Sequence, residues 1–321
     1  MTFRQRVIAC FKGLATGDAI GKQTETLSRA DVQKYYPTAI KGFFGKPGEI
    51  IPRYAGKRYE WRFGETTDDT EQTIAVARAL LQEGEAKHEV IGKELLNCKK
   101  SVHPEVSIWE FQKLGDPGRV AYQGNGCGAA MRTAPIGVIY PPGRLDELVQ
   151  AAYEGAVPTH GGQLAIGAAA AVACAVSAAL DGLPTAEILT VVLSASRKAE
   201  KFRLARGASS IAACIETIYS DLVGKKLEVD EIARKWFPCT PETIVPLAIS
   251  LALLTQSAEE TALLAANIGG DSDSVASIGS AIAGALRPET VNDEWYQVVT
   301  STNHHDLVAL ATSLADLKPR V

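Results

Sequence analysis

Residues 164–180 read LAIGAAAAVACAVSAAL and carry no charged side chain over these 17 positions. A helix needs about 20 apolar residues to span a bilayer, so this run is short, and alanine contributes little to transfer into lipid. We therefore predict a close-packed core helix over residues 161–181 and no membrane-spanning segment.

Outward from this helix, apolar residues recur at helical spacing in most long segments, and strand-like alternation is scarce. Proline and glycine mark the breaks between helices, as in Pro141-Pro142-Gly143. Residues 36–66 differ, because they are rich in Gly, Pro, Tyr and basic residues with little periodicity, which is typical of a functional or mobile segment. The pattern predicts one all-α domain over residues 1–321. The other helices are predicted near residues 3–16, 28–35, 67–84, 87–98, 104–113, 127–138, 144–156, 184–197, 206–221, 228–236, 241–255, 257–267, 274–286 and 303–316.

The composition excludes several classes of protein. A net charge of -4 and a pI of about 5.8 argue against non-specific electrostatic binding of nucleic acid. The six cysteines are scattered without a CxxC pair, which argues against a disulfide framework or a zinc ribbon. The N-terminus has no apolar signal core. We expect a cytoplasmic protein with reduced, mostly buried thiols.

Two acidic segments each precede an apolar helix: residues 66–73, TTDDTEQT, and residues 269–274, GGDSDS. Each alone is explained by helix capping, with Asp68 and Glu71 as a capping box and Asp271 or Ser272 as the later cap. A cap needs only one side-chain oxygen, however, and each segment has surplus carboxylates. Their repulsion exceeds the roughly 0.3–1 kcal/mol gained at a helix start. Together the segments indicate a site for Mg²⁺, Mn²⁺ or Ca²⁺, and four aspartates would suffice for two ions.

Two glycine-containing stretches are less specific. Residues 124–132 read GNGCGAAMR; the glycines would let backbone approach a ligand and Arg132 could hold an anion, or the stretch is a turn that opens a helix. Residues 17–25 read GDAIGKQTE, which fits a C-terminal glycine followed by solvated charges. His160, in PTHGGQ, is either a site residue or a structural one. The chain has no GxSxG, Walker A or HExxH motif.

In order, GDAIGKQTE, TTDDTEQT, GNGCGAAMR, PTH and GGDSDS resemble the ADP-ribosylglycohydrolase family over roughly residues 8–286. The resemblance implies an all-α orthogonal helix bundle with a cleft for two Mg²⁺ or Mn²⁺ ions. It implies a hydrolase of the bond between ADP-ribose and a modified side chain, in which the ions orient the distal ribose and activate water. The metal ligands that it implies are Thr67, Asp68, Asp69, Asp271, Asp273 and Ser274, where Ser274 replaces the usual threonine.

The same resemblance implies roles for other residues. Glu25 matches an acid that gates the metals, and Asp68, Asp69 or Glu25 would act as the base or accept the leaving-group proton. The implied substrate contacts are Asn125, Gly126, Cys127, Gly128, Met131 and His160.

The leaving-group side departs from the arginine-type members of the family. Those members carry an acidic segment where residues 98–119 here read CKKSVHPEVSIWEFQKLGDPGR, and Gly-Gly-Gln follows His160. Three functions therefore stay open. The substrate is an ADP-ribosylated protein linked through arginine or serine, or a small riboside or free ADP-ribosyl compound; alternatively the chain is a non-catalytic member, like the crystallins of this family.

Overall fold

The computed structural model describes residues 1–43, 62–101, 106–203 and 209–317. This part of the chain contains helices and no β-strand, so the predicted all-α helical bundle is confirmed. The helices are α1 (Phe3–Gly21), α2 (Arg29–Tyr35), α3 (Asp68–Glu83), α4 (His88–Leu95), α5 (Val106–Leu114), α6 (Ala134–Ile139), α7 (Leu145–Ala156), α8 (Gln163–Leu180), α9 (Thr185–Glu200), α10 (Ile211–Leu222), α11 (Val229–Trp236), α12 (Pro241–Thr255), α13 (Ala258–Ile268), α14 (Ser272–Leu286), α15 (Asp293–Asn303) and α16 (Leu307–Leu317). Short 3₁₀ helices lie at Cys127–Ala129, Lys201–Arg203 and Pro288–Thr290.

Helices α1 and α14 pack against each other through a row of glycines. At Gly17, a Cβ would lie 2.3 Å from the carbonyl oxygen of Ala276, closer than any side chain allows. The same close approach pairs Gly13 with Ser280 and Gly21 with Ser272. Because the pairing runs in opposite directions along the two helices, they are antiparallel. The end of α1 therefore lies beside the start of α14.

The sequence prediction ended α1 near residue 16, and the structure extends it to Gly21. Glycine usually favours the end of a helix, but here the glycines form the surface on which α14 packs. The energy of this helix contact outweighs the low helix propensity of glycine. The extension carries Asp18 into the interior.

Helix α8 forms the buried centre of the fold, and all of its residues are buried. By length and composition alone this helix could cross a membrane, yet its whole length is covered by other parts of the protein. The predicted core helix is confirmed.

Apart from shifts of a few residues at helix boundaries, the structure differs from the predicted helices at two other places. The helix predicted over 127–138 is divided into the 3₁₀ turn and α6, and Pro135 suits the first turn of α6 because proline has no amide hydrogen to satisfy. Helix α15, capped by Asn292, was not predicted because its aromatic and β-branched residues show no clear helical period. Most of the irregular segment 36–66 lies outside the described residues, as do residues 104–105 and 206–208 of two predicted helices.

Candidate functional site

Asp18, near the end of α1, holds the start of α3. Its carboxylate accepts hydrogen bonds from the Thr67 amide at 2.9 and 3.1 Å, from the Thr70 amide at 3.1 Å and from the Thr70 hydroxyl. Burial raises the pKa of Asp18, and the hydrogen bonds from Thr70 and Thr67 oppose that rise. The predicted solvated charge at this position is wrong for Asp18, which is completely buried.

Helix α3 is capped by Thr67, whose hydroxyl oxygen accepts a hydrogen bond from the Asp69 amide at 3.2 Å. The predicted capping box of Asp68 and Glu71 is wrong. Glu71 instead accepts hydrogen bonds from the backbone amides of residues 99 and 100 at 2.9 and 2.7 Å. The carboxylates of Asp68 and Asp69 are therefore not needed to cap the helix.

The start of α14 is fixed by backbone contacts. Gly269 and Gly270 have φ values of 87° and 73°, which favour glycine. The Gly270 amide donates to the carbonyl oxygen of Leu27 at 2.8 Å. Asp271 occupies the N-cap position, but its side chain makes no capping hydrogen bond. Its carboxylate, like those of Asp68 and Asp69, is surplus to capping.

The two acidic segments meet in one buried cluster. Burial raises the pKa of Asp69 well above its ordinary value, and the negative charges of Asp18, Asp271 and Glu25 add to the rise. Burial has the same effect on the pKa of Asp273, reinforced by Glu25, Asp271 and Asp69. A hydrogen bond from Ser274 to Asp69, at 3.5 Å, joins segments that are 205 positions apart in the sequence. The C-terminal end of α1 and the N-terminal ends of α3 and α14 thus bring these acids together. From the sequence alone, the two acidic segments could be associated only because their residue patterns are similar.

The donors in this cluster have the chemistry that a hard divalent cation requires. One oxygen each of Asp69 and Asp273, Oδ1 in both, is buried without a hydrogen-bond partner in the described part of the chain. Such an atom costs free energy unless a proton or cation compensates it. The hydroxyl of Thr67 lies 3.4 Å from the other oxygen of Asp69. Carboxylate and hydroxyl oxygens suit Mg²⁺ or Mn²⁺.

The side chains are not arranged as a finished ligand set. Within the four described stretches, no three His, Cys, Asp or Glu residues form a group that could hold a metal ion as they stand. Asp68 accepts a hydrogen bond from the side-chain amide of Gln72 at 2.9 Å, and Asp271 accepts one from the Cys127 thiol at 3.1 Å. An ion bound by Asp68 and Asp271 would have to replace these two hydrogen bonds.

The glycine-rich loop contacts the acidic cluster through the thiol of Cys127. The predicted contact residue Asn125 is exposed, and its side-chain oxygen accepts a hydrogen bond from the Leu164 amide at 3.0 Å, which caps α8. Gly126 is partly exposed, while Gly128 and Met131 are buried.

The Gly-Gly pair after His160 has a structural cause. The amides of Gly161 and Gly162 donate to the carbonyl oxygens of Gln123 and Gly124 at 2.8 and 3.0 Å. A Cβ at Gly161 would lie 1.8 Å from the carbonyl oxygen of Ala121. The glycines therefore let the loop before Asn125 pair with the segment before α8.

Arg132 is fully buried and forms part of a hydrogen-bonded chain. It donates to the Gln72 side chain at 2.7 Å, to the Gly155 carbonyl at 3.0 Å and to the Thr159 hydroxyl at 2.7 Å. The Thr159 hydroxyl in turn lies 2.7 Å from Nδ1 of His160, which is also buried. The predicted anion-binding role of Arg132 is wrong, because its donors are directed into the protein. Gln72, which accepts a hydrogen bond from Arg132, donates one to Asp68 and so links this hydrogen-bonded series of side chains to the acidic cluster.

A cavity of about 190 Å³ borders the acidic cluster. It has a mixed lining in which lysines face acids. Lys22 is nearly buried and forms an ion pair with Glu65 at 3.1 Å. The residues that line the cavity are Lys22, Glu25, Glu65, Thr66, Thr67, Asp68, Lys99 and Lys100.

Comparison with known proteins identifies the chain. A family model described as ADP-ribosylglycohydrolase matches residues 1–320. The chain belongs to the ADP-ribosylglycohydrolase family. It is 30% identical over 329 residues to YegU, an uncharacterized protein of Escherichia coli (strain K12), covering 97% of this chain and 96% of that protein. It is 29% identical over 342 residues to an uncharacterized protein of Archaeoglobus fulgidus, with coverage of 97% and 96%. A solved structure titled ADP-ribosylglycohydrolase-related protein complex has a TM-score of 0.70 and 26% identity, and 98% of each chain is covered.

The ADP-ribosylglycohydrolase family is a hydrolase family.

Several residues that support the site are visible in the structure but were not predicted from the sequence. Asp18 and Gln72 support the predicted ligands Thr67 and Asp68, but both occur inside helices, where an isolated polar residue has no distinctive pattern. Lys100 donates to Thr66 at 2.9 and 3.0 Å and so fixes the residue before the cap. The residues alone indicate the surplus of acids in TTDDTEQT and GGDSDS, whereas Glu25 and Cys127 follow from the resemblance to the family.

Proposed function

We propose that this chain is a divalent-cation-dependent glycosidase that hydrolyses the bond between ADP-ribose and a modified side chain. The observation that carries the proposal is that the buried Asp69 and Asp273, each with one unpartnered carboxylate oxygen in the described part of the chain, lie close to the partly buried Asp271. Family membership supports the hydrolase class, and the cluster supports the cation dependence.

Six residues at the meeting point of the helix ends would hold two Mg²⁺ or Mn²⁺ ions. When bound, such ions would offset the repulsion among the carboxylates, engage hydroxyls of the distal ribose and lower the pKa of water in the cleft. The proposed ligands are Thr67, Asp68, Asp69, Asp271, Asp273 and Ser274.

Carboxylates of the chain would stabilise the transition state and transfer the protons. Cleavage of a glycosidic bond passes through an oxocarbenium-like state, and nearby negative charge stabilises it. Glu25 is buried at 4% exposure and lines the cavity together with Asp68. We assign to Glu25, Asp68 and Asp69 the roles of taking a proton from the attacking water and giving one to the leaving group.

The charges that line the cavity do not rank the substrate classes, because three lysines and three acids line it and Lys22 is paired with Glu65. The sequence carries the ranking instead, since residues 98–119 lack the acidic segment of the arginine-type members of the family. We therefore rank arginine-linked ADP-ribose below a serine-linked or small-molecule substrate.

A side-by-side hydrolysis assay tests the proposal. Peptides with ADP-ribosyl-serine or ADP-ribosyl-arginine, and free ribosides, are incubated with the protein in Mg²⁺, Mn²⁺ or EDTA, and released ADP-ribose or ribose is measured. We expect metal-dependent release from the serine peptide or a small riboside. We expect release to fall by about 10²-fold or more in Asp271→Ala and Asp273→Ala.

The exposed Asp146, which forms an ion pair with Lys198 and belongs to neither acidic segment, gives a matched control, and Asp146→Ala should keep full activity. If no substrate is hydrolysed under any metal condition, or if EDTA has no effect, the proposal is wrong. In the first case a non-catalytic role replaces it.

A further inference from the structure

The thiol of Cys127 lies against the acidic cluster. Its sulfur is 3.1 Å from Oδ2 of Asp271 and 3.9 Å from the hydroxyl of Ser274. The Cys127 side chain is buried and begins the 3₁₀ turn of the glycine-rich loop. It is therefore the point at which this loop meets the start of α14.

A second observation shows that a cation suits this place. The unpartnered Oδ1 atoms of Asp69 and Asp273 belong to the same cluster, and both side chains are buried, at 1% and 3% exposure. Cys127 thus adds a sulfur donor beside carboxylates of which two have an oxygen without a hydrogen-bond partner in the described part of the chain.

We propose that Cys127 is a further ligand of this metal centre, and that its sulfur lets the site take thiophilic divalent ions such as Zn²⁺ or Cd²⁺ besides Mg²⁺ and Mn²⁺. The proposal rests on the cation centre of the proposed function. If it is correct, the glycine-rich loop, together with the two acidic segments, determines which metal ions the site binds.

The geometry is compatible with shared ligation. At the tetrahedral angle that Zn²⁺ prefers, with a metal–oxygen distance of about 2.1 Å and a metal–sulfur distance of about 2.3 Å, two ligand atoms are roughly 3.6 Å apart. The Cys127 sulfur and the Asp271 oxygen are 3.1 Å apart, so they would have to separate by about half an ångström to share an ion. A thiophilic ion that binds here displaces the thiol proton to solvent, forms the metal–sulfur bond and replaces the hydrogen bond to Asp271.

The consequence for metal choice follows from ligand softness. Thiolate sulfur binds Zn²⁺ and Cd²⁺ far better than it binds Mg²⁺, whereas carboxylates alone favour the harder ions. Replacing Cys127 by serine keeps a donor oxygen of similar size, so it should remove affinity for the soft ions selectively.

Cd²⁺ is the probe for the test, because its bond to thiolate sulfur produces an ultraviolet charge-transfer band. Cys239 is exposed and would bind Cd²⁺ adventitiously, so the background protein carries Cys239→Ser. The full-length background protein and its Cys127→Ser derivative are titrated with Cd²⁺ by absorbance and with Mn²⁺ by calorimetry. Circular dichroism confirms that both remain folded.

We expect the background protein to give a saturable Cd²⁺–thiolate band that the Cys127→Ser derivative lacks. The Cd²⁺ affinity should fall about tenfold or more, while the Mn²⁺ affinity changes only a few-fold. A band that persists in the derivative, or Cd²⁺ that displaces Mn²⁺ from the background protein without any band, overturns the proposal and leaves the cation centre standing. If neither ion binds the background protein, the cation centre fails as well, and with it the proposed function.

Discussion

At the residue scale, Asp18 is the side chain on which the geometry of the site depends most. It accepts hydrogen bonds from Thr67 and Thr70, and thereby fixes the start of α3 on the end of α1. An asparagine at this position would turn an amide group toward backbone donors. We predict that Asp18→Asn lowers the Mn²⁺ affinity by about 10–100-fold, as loss of a residue that orients metal ligands typically does.

Isothermal titration of Mn²⁺ checks this prediction, with the exposed Asp146→Asn as the control that should bind like the wild type. Unchanged Mn²⁺ affinity in a folded Asp18→Asn protein would show that Asp18 does not position the ligands.

The acids of the cluster could be predicted from the sequence, but the residues that hold them in place could not. Asp68, Asp69, Asp271 and Asp273 could be identified because each segment holds more carboxylates than a cap requires. Asp18 was assigned to solvent, since nothing local distinguishes a buried carboxylate from an exposed one. Only the antiparallel contact between α1 and α14 puts it in the interior.

At the scale of elements, the packing of α1 on α14 positions the site. Gly17→Ala would gain up to about 1 kcal/mol of helix propensity, but its Cβ would lie 2.3 Å from the Ala276 carbonyl oxygen. We predict a net loss of about 1–3 kcal/mol in the free energy of unfolding, measured by urea denaturation.

Gly143→Ala is the matched control, because no atom lies within 4 Å of a Cβ there, and its stability should stay within about 0.5 kcal/mol of the wild type. Equal stabilities of the Gly17 and Gly143 variants would contradict the proposed helix contact.

The join between α10 and α11 gives a prediction about pH. Hydrogen bonds from Lys235, Trp236 and Lys225 hold the pKa of Asp221 well below its usual range. A lowered folded-state pKa gives stability that is present above the unfolded pKa of about 3.9 and is lost as the pH falls below it. We therefore predict that Asp221→Asn is less stable than the wild type by a constant margin from pH 7 to about pH 4, and that the margin shrinks at lower pH.

Urea denaturation of both proteins across this range measures the margin. A margin that disappears already between pH 7 and pH 5 would be inconsistent with this origin.

Helices with regular apolar spacing could be predicted from the sequence. Helix boundaries that depend on packing against a neighbouring helix could not. The prediction for the alanine-rich α8, residues 161–181, covers the whole helix and exceeds it by two residues at the start and one at the end, since its composition leaves few alternatives. The last turn of α1 was missed because its glycines resemble a helix end, although they are the contact surface for α14. Helix α15 was missed because the apolar spacing in it is irregular.

At the scale of the whole molecule, the fold concentrates negative charge where three helix ends meet. This arrangement is unfavourable for stability and favourable for cation binding. Replacing Asp273 by asparagine removes one buried charge and keeps the shape of the side chain. We predict that Asp273→Asn raises the unfolding free energy of the metal-free protein by about 1–3 kcal/mol, and that it removes the stabilisation which Mn²⁺ gives the wild type.

Thermal unfolding with EDTA and with Mn²⁺ provides both comparisons. If Asp273 had only a structural role at the start of α14, the variant would be less stable in EDTA and would still respond to Mn²⁺.

Physical reasoning from the sequence could not predict that the end of α1 meets the starts of α3 and α14. Motif order alone pairs Asp69 with Asp273, but the contact depends on the glycine row of α1 and on the Gly269–Gly270 turn, which act through tertiary packing. The same holds for Cys127, which reaches Asp271 only because the glycine-rich loop is folded against α14.

The central claim is that the acidic cluster is a centre for divalent cations, and anomalous scattering from a crystal soaked in Mn²⁺ tests it most directly. We predict strong anomalous peaks within about 2.0–2.3 Å of carboxylate oxygens from Asp69, Asp271 and Asp273. Mn²⁺ peaks found only elsewhere, with none among these three aspartates at saturating Mn²⁺, would contradict the claim.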